Sequence, residues 1–228
     1  MLSKISPRLR VLREAAEDLR YLLNRGYNKE TVLRLVGDRY LLDREERLVL
    51  YRSVYSMDEV EQIKKKRMEE RMLQDQKVLV DGFNVLNTIE AALRGDELIL
   101  CDDGIIRDFS QVYGKYRLTQ QTLTSLSLMI EALKTLKVSE ALVLYESQIS
   151  KSGEIAKKTR EIIREKEIDG DAETSKTVDS ILSRSERIVC TSDSAILLRC
   201  KSYFDLAGYI ITSRIKNTQI LSLSKNST

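Results

Sequence analysis

The stretch Lys77-Val78-Leu79-Val80-Asp81-Gly82-Phe83-Asn84-Val85-Leu86 constrains the fold of this chain more than any other. Val78 to Val80 form a short, β-branched, apolar run that reads as a buried central strand. The run stops on a carboxylate, then a glycine, and passes into a helix whose first turn holds Asn84. In open α/β sheets, ligands sit outside the carboxyl ends of the strands. A central strand ending in Asp81 therefore brings a negative charge to that edge. Aspartate is also a good helix N-cap, and on this segment alone the capping and functional readings stand side by side.

From residue 77 onward, short apolar strands alternate with amphipathic helices, the pattern of a parallel-sheet α/β domain. Strands are expected near 77–81, 97–102, 141–146, 187–191 and 208–212, and helices near 84–94, 118–137, 152–166, 175–184 and 193–201. Asp102-Asp103-Gly104 falls between Leu98-Ile99-Leu100-Cys101 and Ile105-Ile106-Arg107, a hairpin signal. Arg107 and Asp108 read as an ion pair.

Residues 1–76 read as all helix. Ser6-Pro7 starts the first helix, Leu9, Leu12, Ala16, Leu19 and Leu23 repeat at helical spacing, and Gly26 stops it. Asn28 caps a second helix, Lys29 to Val36, ended by Gly37. Asp43 caps a third, and Ser56 with Glu59 forms a capping box for a fourth that runs to about Gln74. The second and third helices resemble a helix-turn-helix in outline, but their turn is longer than usual, which favours a plain bundle. Arg34, Arg39, Arg44, Arg47 and Arg52 form either a phosphate-contacting face or a solvated one. The expected organisation is thus a basic helical domain at 1–76 and an α/β domain at 77–228.

The chemistry is narrowed by what is missing. None of the 228 residues is histidine, which excludes Ser-His-Asp and Cys-His triads, His-ligated zinc and an imidazole base. Cys101, Cys190 and Cys200 are too scattered for a zinc ribbon and read as buried thiols. An odd number of cysteines argues against a disulfide framework. No apolar run approaches the roughly 18 residues of a membrane span, and no signal-peptide core is visible, so a cytoplasmic protein away from membranes is expected. Residues 1–77 carry 18 basic and 14 acidic side chains (net +4), and residues 78–228 carry 20 and 21 (net −1). Basic character, and with it any affinity for nucleic acid, sits in the N-terminal part.

The acids fall at strand ends. Asp81 follows Val78-Leu79-Val80, Glu146 follows Leu142-Val143-Leu144-Tyr145, and Asp193 follows Ile188-Val189-Cys190-Thr191-Ser192. Asp179 lies one turn into a helix shortly before that last strand. Parallel strands put these termini on one edge of the sheet. Three or four carboxylates in close company raise one another's pKa, and a divalent cation relieves the conflict. Oxygen donors without His or Cys suit Mg²⁺ or Mn²⁺. Such ions activate water and stabilise a leaving oxygen in phosphodiester hydrolysis.

Val80-Asp81-Gly82-Phe83-Asn84-Val85-Leu86, the helix acid Asp179 and Thr191-Ser192-Asp193-Ser194 together resemble the PIN-like (NYN-type) ribonuclease superfamily. More narrowly, the chain resembles an uncharacterised archaeal family that joins a helical domain of unknown function to a PIN-like domain. Leu22-Leu23-Asn24-Arg25-Gly26-Tyr27, Val36-Gly37-Asp38-Arg39-Tyr40, Cys101 to Asp108 and Ser150 to Glu154 carry that match. The resemblance implies a Rossmann-like sheet and metal-dependent cleavage of RNA, usually single-stranded. It implies that Asp81, Asp179 and Asp193 are catalytic acids and metal ligands; Glu146, whose following loop is not a usual feature of that superfamily, joins the metal ligands by its place at a strand end. Asn84 would orient Asp81 or the water, and Thr191 and Ser192 would bond a ligand carboxylate or the scissile phosphate.

Ser150, Ser152 and Gly153 open the helix after Glu146, either as a plain cap or as an anion site at a helix N-terminus. The sequence is not a Walker A loop. Asp102 and Asp103 belong to a turn, or fold over the site as additional acids. Tyr113 and Tyr116, beside Lys115 and Arg117, are core residues or a base-stacking platform. Besides a metal-dependent ribonuclease, the residues allow a non-catalytic binding module and a hydrolase of small phosphoesters with the serine loop as its phosphate cup. A homo-oligomer is compatible with each.

Overall fold

Alternation along β1 (Lys77–Asp81) sends Val78 and Val80 into one apolar core and Leu79 into another on the opposite face. In the computed structural model, which describes residues 5–109 and 116–224, β1 lies between two parallel neighbours, β4 (Glu140–Glu146) and β6 (Ile188–Cys190). A further parallel strand, β5 (Gly170–Ser175), lies outside β4, giving the order β5-β4-β1-β6. Helices α5 (Gly82–Arg94), α6 (Gln120–Thr135), α7 (Ser152–Glu165) and α10 (Leu206–Arg214) supply the core on the Val78 and Val80 face. Two short helices, α8 (Val178–Ser183) and α9 (Ser194–Leu197), cover the Leu79 face with Cys200 and Tyr203. The protein is therefore an α/β structure with a parallel central sheet.

Among the described residues, four α-helices precede it: α1 (Leu9–Leu23), α2 (Lys29–Arg39), α3 (Arg44–Ser53) and α4 (Met57–Lys64). Their starts follow the capping chemistry. The Asn28 side chain accepts the Thr31 N–H, and complete capping boxes join Asp43 to Glu46 and Ser56 to Glu59. Leu12, Ala15, Ala16 and Leu19 of α1 meet Val32, Val36, Val49 and Leu50 in a core that also takes in Ile99, Cys101 and Leu223. Those last residues belong to or adjoin a small second sheet, in which β2 (Leu98–Leu100) pairs antiparallel with β3 (Ile106–Arg107) and parallel with β7 (Ile220–Ser222). Ile99 faces the N-terminal helices, while Leu98 packs with Ala91, Ala92, Ile106 and Ile211. The small sheet is thus sandwiched between the two helical layers.

Several expectations are corrected. The strand expected at 208–212 lies inside α10. Asp205 caps that helix by accepting the Gly208 N–H, and Ile210 and Ile211 are buried in different cores. A short apolar run is equally suited to a buried helix. β5 went unread because Gly170-Asp171-Ala172-Glu173-Thr174-Ser175 is an edge strand that buries only Ala172. Gly170 approaches β4 so closely that a Cβ would stand 2.2 Å from the Ala141 carbonyl oxygen. The second helix continues past Gly37 to Arg39, and the fourth ends at Lys64 rather than near Gln74. Beyond it the backbone of Lys66 and Met68 bonds both sides of Tyr203, and those tertiary bonds replace the helical ones. No helix among the described residues is long and apolar enough to cross a membrane.

Candidate functional site

Asp81 ends β1 and at the same time caps α5, accepting the Asn84 N–H at 3.4 Å. The capping reading of this residue therefore holds. Its other carboxyl oxygen accepts the Thr191 hydroxyl at 2.7 Å, and only 4% of the residue is exposed. Burial first, then the charges of Glu146 and Asp193, push its pKa from 3.8 up to about 8, against the pull of the Thr191 and Asn84 hydrogen bonds. The backbone here needs glycine at 82, because a Cβ would stand 2.3 Å from the ring of Tyr145. That ring is locked by a 2.8 Å bond to Thr159 and by edge-on packing with Phe83.

Glu146 ends β4, the strand next to β1. Its pKa is raised by burial and then by Asp179 and Asp193. One of its carboxyl oxygens, Oε2, is buried and has no hydrogen-bond partner among the described residues. Asp193 follows β6 and caps α9, accepting the Ala195 N–H at 2.7 Å and the Ile196 N–H at 3.3 Å. Asp179 sits in the first turn of α8 and is exposed. Asp193 thus acts electrostatically on both Asp81 and Glu146, Glu146 acts on Asp81, and Asp179 of α8 acts on Glu146. As they stand, no three Asp, Glu or Cys side chains among the described residues form a group that could hold a metal ion.

The turn after β6 is tightly tied. The carboxamide oxygen of Asn84 accepts the Ser192 N–H at 2.7 Å and its hydroxyl at 2.8 Å. Asn84 therefore orients Ser192 with its side chain and Asp81 with its backbone. The Thr191 hydroxyl, besides donating to Asp81, accepts the Asp193 N–H at 3.1 Å. Sequence reasoning read Arg107 only as a partner of Asp108 and missed its role here, in which its Nε donates to the Ser192 carbonyl oxygen at 2.7 Å. Its only local sign was an arginine directly after Ile105-Ile106; its partner lies 85 residues away.

The remaining candidates are placed elsewhere. The Asp102-Asp103-Gly104 hairpin forms, but Asp102 is gripped twice at 2.8 Å by Arg20, and Asp103 by both ends of the Arg107 guanidinium. Neither is among the charges that shift Asp81 or Glu146. Arg107 thus pairs with Asp103 rather than with Asp108, which meets Arg52 at 3.5 Å. The Ser150 hydroxyl accepts the Tyr116 N–H at 2.9 Å, Ser152 is buried at the start of α7, and the space beside Gly153 is open. Tyr116 is buried with its hydroxyl on Glu90, so it is a core residue and not a stacking platform. Tyr113 and Lys115 lie outside the described residues. Of the five arginines on the second and third helices, Arg39, Arg47 and Arg52 are ion-paired within the chain.

A parallel sheet with acids at its carboxyl edge, joined to an N-terminal helical region, defines the class of this protein. The chain belongs to the family described as "Domain of unknown function (DUF5616)", whose model matches residues 70–209. Residues 11–66 match a second family, "Protein of unknown function (DUF434)". An uncharacterized protein of Methanocaldococcus jannaschii is 39% identical over 186 residues, which span 82% of this chain and 88% of that protein. No solved structure matches the chain.

Proposed function

We propose that this chain is a PIN-like, Mg²⁺- or Mn²⁺-dependent ribonuclease that hydrolyses phosphodiester bonds. The observation that carries the reading is that buried Asp81 feels the charges of Glu146 and Asp193, while Glu146 feels Asp193 and Asp179 and keeps one buried oxygen unbonded. A carboxylate raised to about 8 beside an unpartnered carboxylate oxygen is a site short of positive charge. The donors are all oxygen, which fits a hard divalent cation.

Asp81, Glu146 and Asp193 would hold the ion, with Asp179 at the exposed margin. When bound, such an ion supplies a nucleophilic hydroxide and offsets charge on a phosphoryl group. The Thr191 hydroxyl donates to Asp81 and so favours its ionised form, and Asn84 fixes the Ser192 hydroxyl and amide at the rim. The excess of 18 basic over 14 acidic residues in 1–77 supports RNA as the substrate, although part of that charge is spent on internal ion pairs.

The test is cleavage of labelled single-stranded RNA by the wild-type protein and Asp81→Asn, with Mn²⁺, Mg²⁺ or EDTA. Cleavage that needs both the metal and Asp81 is the expected result. Cleavage that survives Asp81→Asn sinks the reading. Salt-sensitive RNA binding without product under any metal would instead support the non-catalytic module, a reading favoured by the lack of a ready three-acid metal group among the described residues.

A further inference from the structure

The Thr191–Asp193 turn carries one acid of the edge and the hydroxyl that bonds Asp81, yet residues from distant parts of the chain hold it in place. Arg107 is 2% exposed, and Asp103 is fully buried. The guanidinium bonds the two Asp103 oxygens at 2.9 and 2.6 Å and spends its third nitrogen on the Ser192 carbonyl. The ring of Tyr55 lies 5.4 Å from the guanidinium carbon. The Tyr55 N–H donates to Asp102, which also anchors Arg20 of α1, and the Tyr55 hydroxyl donates to the Arg52 carbonyl oxygen at 2.8 Å. The Lys66 ammonium closes the far end of α9 on the carbonyls of Leu197 and Leu198.

A buried ion pair is a poor source of stability, since well-packed apolar residues of similar volume often serve as well. An apolar pair would not supply the bond to the Ser192 carbonyl. We infer that Arg107, fixed by Asp103 and Tyr55, is a positioning residue that sets the Thr191–Asp193 turn for binding a divalent cation. The N-terminal helices are thereby part of the support of the acid edge, because Tyr55 and Arg20 brace the hairpin from which Arg107 reaches the turn. The inference rests on the proposed metal-dependent function.

The test uses the full-length chain as wild type, Arg107→Met, the paired change Asp103→Asn with Arg107→Met, and Ile163→Ala. The paired change leaves no orphaned buried charge, so it carries the test if Arg107→Met alone does not fold. Ile163→Ala removes a buried side chain from α7 and serves as a destabilised control. Two quantities are measured well below each melting temperature. One is amide hydrogen exchange at Ser192 and Asp193 without metal, and the other is Mn²⁺ affinity by titration calorimetry. The paired change is expected to speed exchange at both amides and to weaken Mn²⁺ binding by about tenfold or more, while Ile163→Ala changes neither. Unchanged exchange at the turn, or unchanged Mn²⁺ affinity, overturns the positioning role, as does an equal effect from Ile163→Ala. A wild-type protein that takes up no Mn²⁺ overturns the metal reading instead, and the exchange result then decides alone whether Arg107 sets the turn.

Discussion

Replacing Asp81 with Asn should make the protein more stable at alkaline pH and change little in acid. In the unfolded chain this carboxyl releases its proton near 3.8, whereas in the folded protein it holds the proton up to about 8. Between those values the folded state binds the extra proton, so the contribution of Asp81 to stability is full below the lower value. It falls as pH rises and is gone above the upper one. At about 1.4 kcal/mol per pKa unit, the whole shift sets a ceiling of about 6 kcal/mol. Water penetration and relaxation around Glu146 reduce the realised effect. Half the ceiling, about 3 kcal/mol, corresponds to roughly 6–12 °C in Tm for a chain of this size.

Thermal unfolding followed by circular dichroism at about pH 5 and about pH 9, without metal, reads the difference. The wild-type Tm should fall more steeply than that of Asp81→Asn, and the gap at the higher pH should close when Mg²⁺ or Mn²⁺ is added, because a cation favours the ionised acid. Parallel pH profiles for the two proteins would refute the burial argument. A gap that metal leaves untouched would refute the cation argument alone.

Other perturbations reach different parts of the same edge. Gly82→Ala drives a methyl group into the locked Tyr145 ring, so a loss of about 1–3 kcal/mol is expected in urea unfolding. Thr191→Val keeps the shape but removes the hydroxyl between Asp81 and the Asp193 N–H. Denaturant unfolding should show a loss of about 1–3 kcal/mol at about pH 9 and a smaller one at about pH 5, where Asp81 is neutral. Asp102→Ala strands Arg20 and the Tyr55 N–H. It should lower stability by about 2 kcal/mol in the same assay.

Local chemistry in the sequence determined much of this protein. Side-chain caps placed the starts of α2, α3 and α4 because an Asn, Asp or Ser meets an N–H only three residues away. The run ending at Asp81 announced a central strand, since three consecutive apolar residues must be covered on both faces. Asp102-Asp103-Gly104 announced the hairpin that joins β2 to β3. Strand-end acids could be gathered on one edge from topology alone, because parallel strands share a carboxyl end.

Only the tertiary structure decided the rest, where the energy comes from partners remote in the chain. β5 exists because β4 offers a ladder and Gly170 fits against Ala141, not because its polar residues favour a strand. The Gly208 to Thr212 run is helical because α5 and α6 leave a groove for α10, with Asp205 capping its entry. Basic residues that looked free in the sequence, such as Arg47 and Arg52, are committed to acids of their own chain. Burial raised Asp81 to about 8 and set Arg107 beneath the Ser192 carbonyl. Solvent exclusion and contacts across 85 residues leave no periodic trace in the sequence.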